Sequence, residues 1–123
     1  ETVNAEAAPN LAITKSVSPV PVTENGTLTY TFRIQNYGSV AATNTTGVVI
    51  TDTFAPVLNN LTAALNGTAW TAATDYTYNE TTGTFSSTAG AITVPAATYT
   101  QDSTTGAWVV TPGESTLVIT GTV

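Results

Sequence analysis

Two side chains of opposite charge lie in stretches whose patterns turn them toward the protein interior. The first is Lys15, the only lysine of the 123-residue chain, within the stretch LAITKSV of residues 11–17. Side chains of a β-strand alternate between its two faces. Lys15 therefore shares one face with three apolar residues, Leu11, Ile13 and Val17. An ammonium group is costly to bury unless it is paired or chemically consumed, so we expect Lys15 to have a partner.

The carboxylate that could meet this amine belongs to Asp52. The stretch GVVITDTF of residues 47–54 has the pattern of another strand. On this strand Asp52 shares a face with three apolar residues, Val48, Ile50 and Phe54. A buried amine and a buried acid can form an ion pair or an isopeptide bond. The covalent bond needs a neutral amine as nucleophile, which burial favours, and a protonated acid to polarise the carbonyl under attack.

Four arrangements of Lys15 stay open at this point. Asp52 could be the assisting acid, with either Asn36 or Asn4 of another chain as the electrophile, or Asp52 could itself be the electrophile. A buried Lys15–Asp52 ion pair without a covalent bond is the third arrangement, and a lysine that extends to the rim is the fourth. The route through Asn4 carries a condition: the register that turns Asn4 inward also turns Glu6 inward, and the opposite register buries Val3, Ala5 and Ala7 instead.

The composition excludes most other chemistry. The chain has no cysteine, histidine or methionine, so thiolate and imidazole ligands and the commonest general base are missing. We expect no enzyme activity beyond an autocatalytic isopeptide bond, no cofactor and no metal site; Asp75, Glu80 and Asp102 lie near turns, in a spacing that matches no calcium loop. A net charge of −6 argues against nucleic acid and against a basic membrane-binding surface. No apolar run approaches the roughly 20 residues of a membrane span.

The elements that would position these residues are short strands. Residues 27–35 form the clearest one, because four apolar side chains alternate with polar ones: Leu28, Tyr30, Phe32 and Ile34. After Pro56 the turns come every eight to twelve residues, and no stretch has a capped helical period. The pattern predicts an all-β domain, an immunoglobulin-like sandwich of about eight to ten short strands, over residues 10–123. Residues 1–9 would be a leader, a linker or a donor strand.

Several later elements follow from turn signals. A hairpin is expected around Asn66-Gly67, and residues 76–78 should pair with a return strand that contains Phe85. Residues 91–94, 108–110 and 115–123 are further predicted strands. Trp70, Trp108 and the tyrosines are expected to serve core and cross-strand packing rather than a sugar-stacking surface.

With these residues laid out, the chain resembles the conserved-repeat immunoglobulin-like modules of bacterial and archaeal surface proteins. The likeness rests on LAITKSVSP, NGTLTYTFRIQNYG and GVVITDTF, and more faintly on PGEST. These modules are related in style to the isopeptide-forming domains of pilins and adhesins. The resemblance implies an extracellular, non-enzymatic domain in which the lysine of an early strand, here Lys15, bonds to an Asn or Asp side chain with help from an acid, here Asp52.

The resemblance also implies that the closing strand of the domain is missing. Such repeats usually end with a strand that contains an Asn-x-Ala pattern, and the best counterpart here is Val3-Asn4-Ala5-Glu6-Ala7 near the start. We therefore expect a subunit of a cell-surface, pilus-like fibre that lacks its closing strand. A neighbouring copy would supply that strand, head to tail, from a donor segment of six residues: Thr2, Val3, Asn4, Ala5, Glu6 and Ala7. The alternative is a monomeric spacer or adhesive module of a longer surface protein, next to other repeats of the same polypeptide.

Overall fold

A computed structural model describes residues 10–18, 24–43 and 48–123, and in those ranges the chain is all-β. Ten strands are present there, and no helix. Their bounds are β1 Leu11–Ser18, β2 Thr27–Asn36, β3 Thr51–Thr53, β4 Asn59–Leu65, β5 Thr68–Ala69, β6 Tyr76–Asn79, β7 Thr84–Ser87, β8 Thr98–Gln101, β9 Trp108–Thr111 and β10 Gly113–Thr122.

The strands form two packed antiparallel sheets and a separate hairpin. The larger sheet has the order β1-β2-β10-β4-β5, and the smaller one has the order β3-β7-β6. Strands β8 and β9 pair only with each other in the described part of the chain. The sheets pack face to face as a sandwich, which confirms the predicted fold class, an immunoglobulin-like β-sandwich.

The core lies where the alternating faces of β2 and β10 meet the smaller sheet. On β2 the four predicted apolar residues are all buried, and on β10 Leu117 and Ile119 are fully buried. The inward positions of both strands lie two residues apart. They are apolar through the middle of the strands, while Asn36 and Ser115 are buried polar residues of the same face. Phe54 and Phe85 close the core from the opposite side, and Phe54 stacks on Tyr30 with ring centroids 4.4 Å apart.

Two hairpins form as their turn residues predict. Asn66 and Gly67 connect β4 to β5 with φ angles of 51° and 83°, the left-handed pair that a type I′ turn requires. Strands β6 and β7 pair so that Tyr78 lies opposite Phe85. The Tyr78 hydroxyl donates to the carbonyl of Leu58 and accepts from its amide, at 2.8 and 2.9 Å, which ties the segment before β4 to the smaller sheet.

Two predicted strands are shorter in the structure. Of residues 47–54 only Thr51–Thr53 form a strand, since Val48 to Ile50 make no regular ladder and Gly47 is outside the described residues. Residues 91–94 make a single bridge, from Val94 to Ala42, instead of a strand. Pro95 follows directly, and proline has no amide hydrogen with which to extend a ladder.

The β8–β9 hairpin is the part of the fold that the sequence interpretation placed wrongly. All eight of its strand residues are exposed. Trp108 is 65% exposed, and Tyr99 and Tyr37 are exposed as well, so these three aromatic residues are not part of the core. Trp70 and Tyr76 do pack inside as expected, with stacked rings 6.3 Å apart. The reason is topological: among the described residues the hairpin pairs with neither sheet, so no described layer covers it.

Candidate functional site

Strand β1 is an edge strand whose inner face is only partly covered. It pairs with β2 along one side, with Lys15 opposite Phe32, and pairs with no other strand among the described residues. Ile13 is 48% exposed and Val17 39% exposed, although both share the face from which Lys15 reaches the core. Apolar side chains on an inward face are normally buried by the facing layer. Here that layer stops short of β1.

Strand β3 is the corresponding edge of the smaller sheet. It pairs with β7 on one side, where Asp52 lies opposite Phe85, and with no described strand on the other. The Lys15–Asp52 contact places the margins of β1 and β3 side by side. We call this margin, bounded by β1 and β3, the open seam. It is the place where one sheet could take up a further strand.

The Lys15 amine reaches across the open seam to the carboxylate of Asp52. Nζ lies 2.5 Å from Oδ2, and the two side chains are 42% and 21% exposed. Nζ also lies over the rings of Tyr30 and Phe54, at 4.9 and 5.8 Å from their centroids. The negative face of an aromatic ring attracts a cation. The amine is therefore held against the core while the aliphatic stem stays partly in solvent.

The two oxygens of Asp52 have different surroundings. Oδ1 accepts a hydrogen bond from the amide of Thr53 at 2.8 Å, which fixes the orientation of the carboxylate. Oδ2 is buried and has no hydrogen-bond partner in the described ranges, so the amine of Lys15 is its close polar neighbour. A nucleophile in contact with a carboxyl group, at the edge of an apolar core, can form an ion pair or condense to an amide. The structure thus brings together the two residues that the sequence patterns single out.

Asn36 is not a partner for Lys15, and this part of the sequence prediction is wrong. It points inward and is fully buried, as the alternation of β2 predicted. However, it pairs with Leu11, four residues from Lys15 along the ladder, roughly 13 Å at the rise of a strand. Its amide is also fully used: Nδ2 donates to the carbonyls of Val40 and Pro95, and Oδ1 accepts from two backbone amides. Asn36 holds loops together.

The other predicted partner and the donor segment lie outside the described residues. This applies to Asn4, to Glu6 and to the rest of residues 2–7. Their chemistry therefore stays a prediction from the sequence. The first described residue is Asn10, whose amide donates to Asn36 Oδ1 and whose carbonyl accepts from Tyr37. This pair of bonds holds the first described residue against the end of β2.

The second cation of the chain is paired on the opposite face of the larger sheet. Arg33 on β2 binds Glu114 on β10 through two hydrogen bonds, with Nε and Nη2 as the donors. The bond to Glu114 raises the pKa of Arg33, and the same bond lowers the pKa of the Glu114 carboxyl. Both side chains are largely in solvent. The pair therefore joins two central strands from the outside and is distinct from the inward pair of Lys15.

Two further carboxylates, Asp102 and Asp75, serve turns. Asp102 Oδ1 accepts from the amides of Thr104 and Thr105, and these bonds lower the pKa of its carboxyl. Asp75 accepts from the amide of Thr71. In the described ranges no three acidic residues are grouped to hold a metal ion, and no helix is long and apolar enough to cross a membrane.

Sequence reasoning missed one surface that has functional interest, the exposed hairpin with Trp108. The run Trp108, Val109 and Val110 departs from the alternation of a strand with one buried face, but this pattern is the same whether both faces of the strand are covered or neither is. Comparison of the chain with protein-family models, with curated proteins and with solved structures found no match. The open seam and the surface around it are therefore the features of this chain that bear on its function.

Proposed function

We propose that this chain is an extracellular structural protein, a subunit of a surface fibre or pilus-like filament. In the proposed assembly, residues 2–7 of one copy enter the open seam of the next copy and complete its sandwich. The observation that supports this most directly is the uncovered inner face of β1, where Ile13 and Val17 stay half-exposed beside a core that is otherwise closed. The other support is the family resemblance, which implies a surface location and a missing strand.

A strand is the occupant that suits this seam. In the described part of the chain, both β1 and β3 have one unpaired edge, and such edges present rows of free amide and carbonyl groups that bind an added strand. The donor segment alternates in the required way: Val3, Ala5 and Ala7 share one face. These are small side chains, suited to cover Ile13 and Val17 in a narrow gap. The opposite register would present Asn4 and Glu6 to Lys15.

The geometry of such an exchange favours a fibre over a closed dimer. The donor segment and the seam are different surfaces of the same chain, so the contact is head to tail. A contact of this kind repeats without closing unless its rotation happens to form a ring. A surface rich in Thr and Ser with only two basic residues is compatible with an exported protein. Its function would be mechanical.

Lys15 and Asp52 then fasten the seam. We propose that the Lys15 amine attacks the carboxyl carbon of Asp52, so that an amide forms between β1 and β3 and one water leaves. The contact at 2.5 Å supports this pairing. If Asn4 of the incoming strand were the electrophile instead, the amide would join two subunits and one ammonia would leave. Either bond would attach β1 covalently to a neighbouring strand. Without it, a pulling force would separate β1 from the sandwich.

Assembly can be tested with one substitution in the donor segment. Ala5→Pro removes an amide hydrogen from the middle of the proposed strand and restricts its backbone. We expect the parent chain to form filaments by electron microscopy and sedimentation, and the variant to remain monomeric. Ala8→Pro is the matched control, since it makes the same change outside residues 2–7, and it should still assemble.

The alternative function gives a different result in the same experiment. A monomeric spacer or adhesive module predicts that parent, variant and control all sediment as monomers at every concentration. Filaments that form equally well with Ala5→Pro would also count against strand donation, since assembly would then use another surface.

A further inference from the structure

The β8–β9 hairpin carries an apolar face that nothing in the described structure covers. Pairing places Tyr99 opposite Val110 and Gln101 opposite Trp108, so these four side chains lie on one face. The Tyr99 hydroxyl donates to the carbonyl of Tyr37 at 2.8 Å, which joins this face to the body of the domain. We call the surface formed by Tyr37, Tyr99, Trp108 and Val110 the aromatic shelf.

The aromatic shelf lies where the leader departs. The amide of Tyr37 donates to the carbonyl of Asn10 at 2.8 Å, and Asn10 directly follows residues 1–9. The same end of the sandwich contains the last residue of β2 and the first residue of β10, Asn36 and Gly113, which face each other in the ladder. A donor segment that leaves this domain therefore starts beside Tyr37.

The chain between the donor segment and the domain is short. Only Ala8 and Pro9 separate Ala7 from Asn10, and three fully extended Cα–Cα steps span at most about 11 Å. If residues 2–7 of one copy occupy the seam of another, the two bodies must therefore come into contact. On the donor side, Tyr37 of the aromatic shelf is bonded directly to Asn10, and Tyr99 is bonded to Tyr37.

We propose that the aromatic shelf is the surface on which each subunit docks against the body of the copy that receives its leader. The inference rests on the proposed function, and it adds a second contact to the strand exchange. Trp108 is 65% exposed, and Tyr99 and Tyr37 are 44% and 42% exposed; exposed tryptophan and tyrosine side chains are typical of the residues that dominate binding energy in protein interfaces. A hairpin of two strands is also marginal when isolated, and burial of one face by the neighbour would stabilise it.

Val109 and Val110 provide a matched pair for the test. They are neighbours on β9, and they are 53% and 43% exposed, but they point to opposite faces of the hairpin. Val110→Thr places a hydroxyl on the aromatic shelf, and Val109→Thr makes the same change on the other face. Trp108→Ser removes the largest side chain of the shelf. Unfolding midpoints of the monomers establish that each variant folds.

The measurement is the concentration of full-length protein at which half of the chains sediment as assemblies. We expect Trp108→Ser to raise this half-assembly concentration on the order of tenfold, and Val110→Thr to raise it by a smaller factor. Val109→Thr should leave it within about twofold. In a Trp70→Phe background, assembly should also reduce the quenching of Trp108 fluorescence by acrylamide, which reports its burial without any change to the shelf.

Other outcomes would overturn the inference and separate it from the proposed function. If Trp108→Ser assembles like the parent while Ala5→Pro does not, strand donation survives and the aromatic shelf has no part in it. If Ala5→Pro also assembles, both proposals fail. If Trp108→Ser leaves assembly unchanged but abolishes binding to immobilised oligosaccharides, the shelf is a sugar-binding surface and not a contact between subunits.

Discussion

The two basic residues of this chain illustrate how position decides what a charge does. Arg33 points outward from a central strand and binds Glu114 in solvent, where an ion pair contributes little. Lys15 points inward from an edge strand and meets Asp52, one oxygen of which is buried. Lys15 itself is partly exposed, but its removal would leave the buried oxygen of Asp52 without its close polar neighbour. We therefore expect the loss of Lys15 to lower the stability of the fold more than the loss of Arg33.

The mass of the purified full-length chain tests what Lys15 forms. We expect the parent to be lighter than its sequence mass by one water, because the amine contacts Asp52, and Lys15→Met to have its full mass. We also expect Lys15→Met to lower the free energy of unfolding by about 2–4 kcal/mol, because it removes a covalent link that constrains the unfolded chain, and the control Arg33→Met to have a smaller effect. Covalent multimers with loss of ammonia would indicate a bond to Asn4 instead. An unmodified parent would leave only the ion pair.

Tyr78 allows a second test at the scale of one residue. Its hydroxyl makes both hydrogen bonds to the backbone of buried Leu58. Tyr78→Phe would leave those backbone groups unpaired, at a cost of about 1–3 kcal/mol. Chemical denaturation measures this loss in the free energy of unfolding. A loss below the error of the measurement would show that water replaces the hydroxyl.

The same residue makes stability depend on alkaline pH. Burial raises the pKa of Tyr78, and likewise that of Tyr76, above the ordinary value near 10. Between the unfolded and the folded pKa the native state holds more protons, so the free energy of unfolding falls as pH rises through this window. We expect a smaller fall in Tyr78→Phe than in the parent. Equal slopes would contradict the assignment.

At the scale of elements, alternation predicted those strands that have one buried and one solvated face. Strand β2 fits its pattern at every position, because its four apolar side chains face the core and Arg33 faces solvent. The hairpins at Asn66-Gly67 and before Phe85 follow from turn chemistry that is local in sequence. Lys15 and Asp52 were each placed inward by the same rule, which is why their contact could be anticipated.

Alternation along one strand did not predict features that depend on which other element packs against that strand or pairs with it. The pattern of residues 108–110 cannot distinguish a doubly buried strand from an uncovered one, and the structure leaves Trp108 in solvent. Similarly, the inward orientation of Asn36 was correct, but its distance from Lys15 depends on the register between β1 and β2. Register and coverage are properties of pairs of elements, not of single stretches.

The start of β10 offers a test of element packing. A Cβ placed on Gly113 would lie 1.8 Å from the carbonyl oxygen of Pro95. That oxygen belongs to the backbone, so it cannot rotate away as a flexible side chain could. Gly113→Ala should therefore lower the free energy of unfolding by about 3 kcal/mol or more. Gly67→Ala is the control: it has open space but a φ of +83°, and should cost about 1 kcal/mol. A small effect at Gly113 would mean that the crossing of Pro95 over β10 is looser than described.

At the scale of the whole molecule, the main feature is the open seam, the margin of the sandwich at which β1 and β3 each have an edge without a described partner strand. Elsewhere in the described residues the core contains fully buried side chains from both sheets. At the open seam, by contrast, two edges, two half-exposed apolar residues and the Lys15–Asp52 pair lie together. A strand from a neighbouring copy would cover all of these at once, and the aromatic shelf beside Asn10 would be covered by the same contact.

The most direct test adds the missing strand as a separate molecule. A synthetic peptide of residues 1–9 is titrated into the full-length Ala5→Pro protein, and amide signals are followed by NMR. We predict saturable binding of one peptide per chain, with shifts and slower hydrogen exchange along β1 and β3, and no binding of a peptide that itself carries Ala5→Pro. Absence of binding, or shifts confined to other strands, would contradict the proposal that this domain is completed by a neighbour's leader.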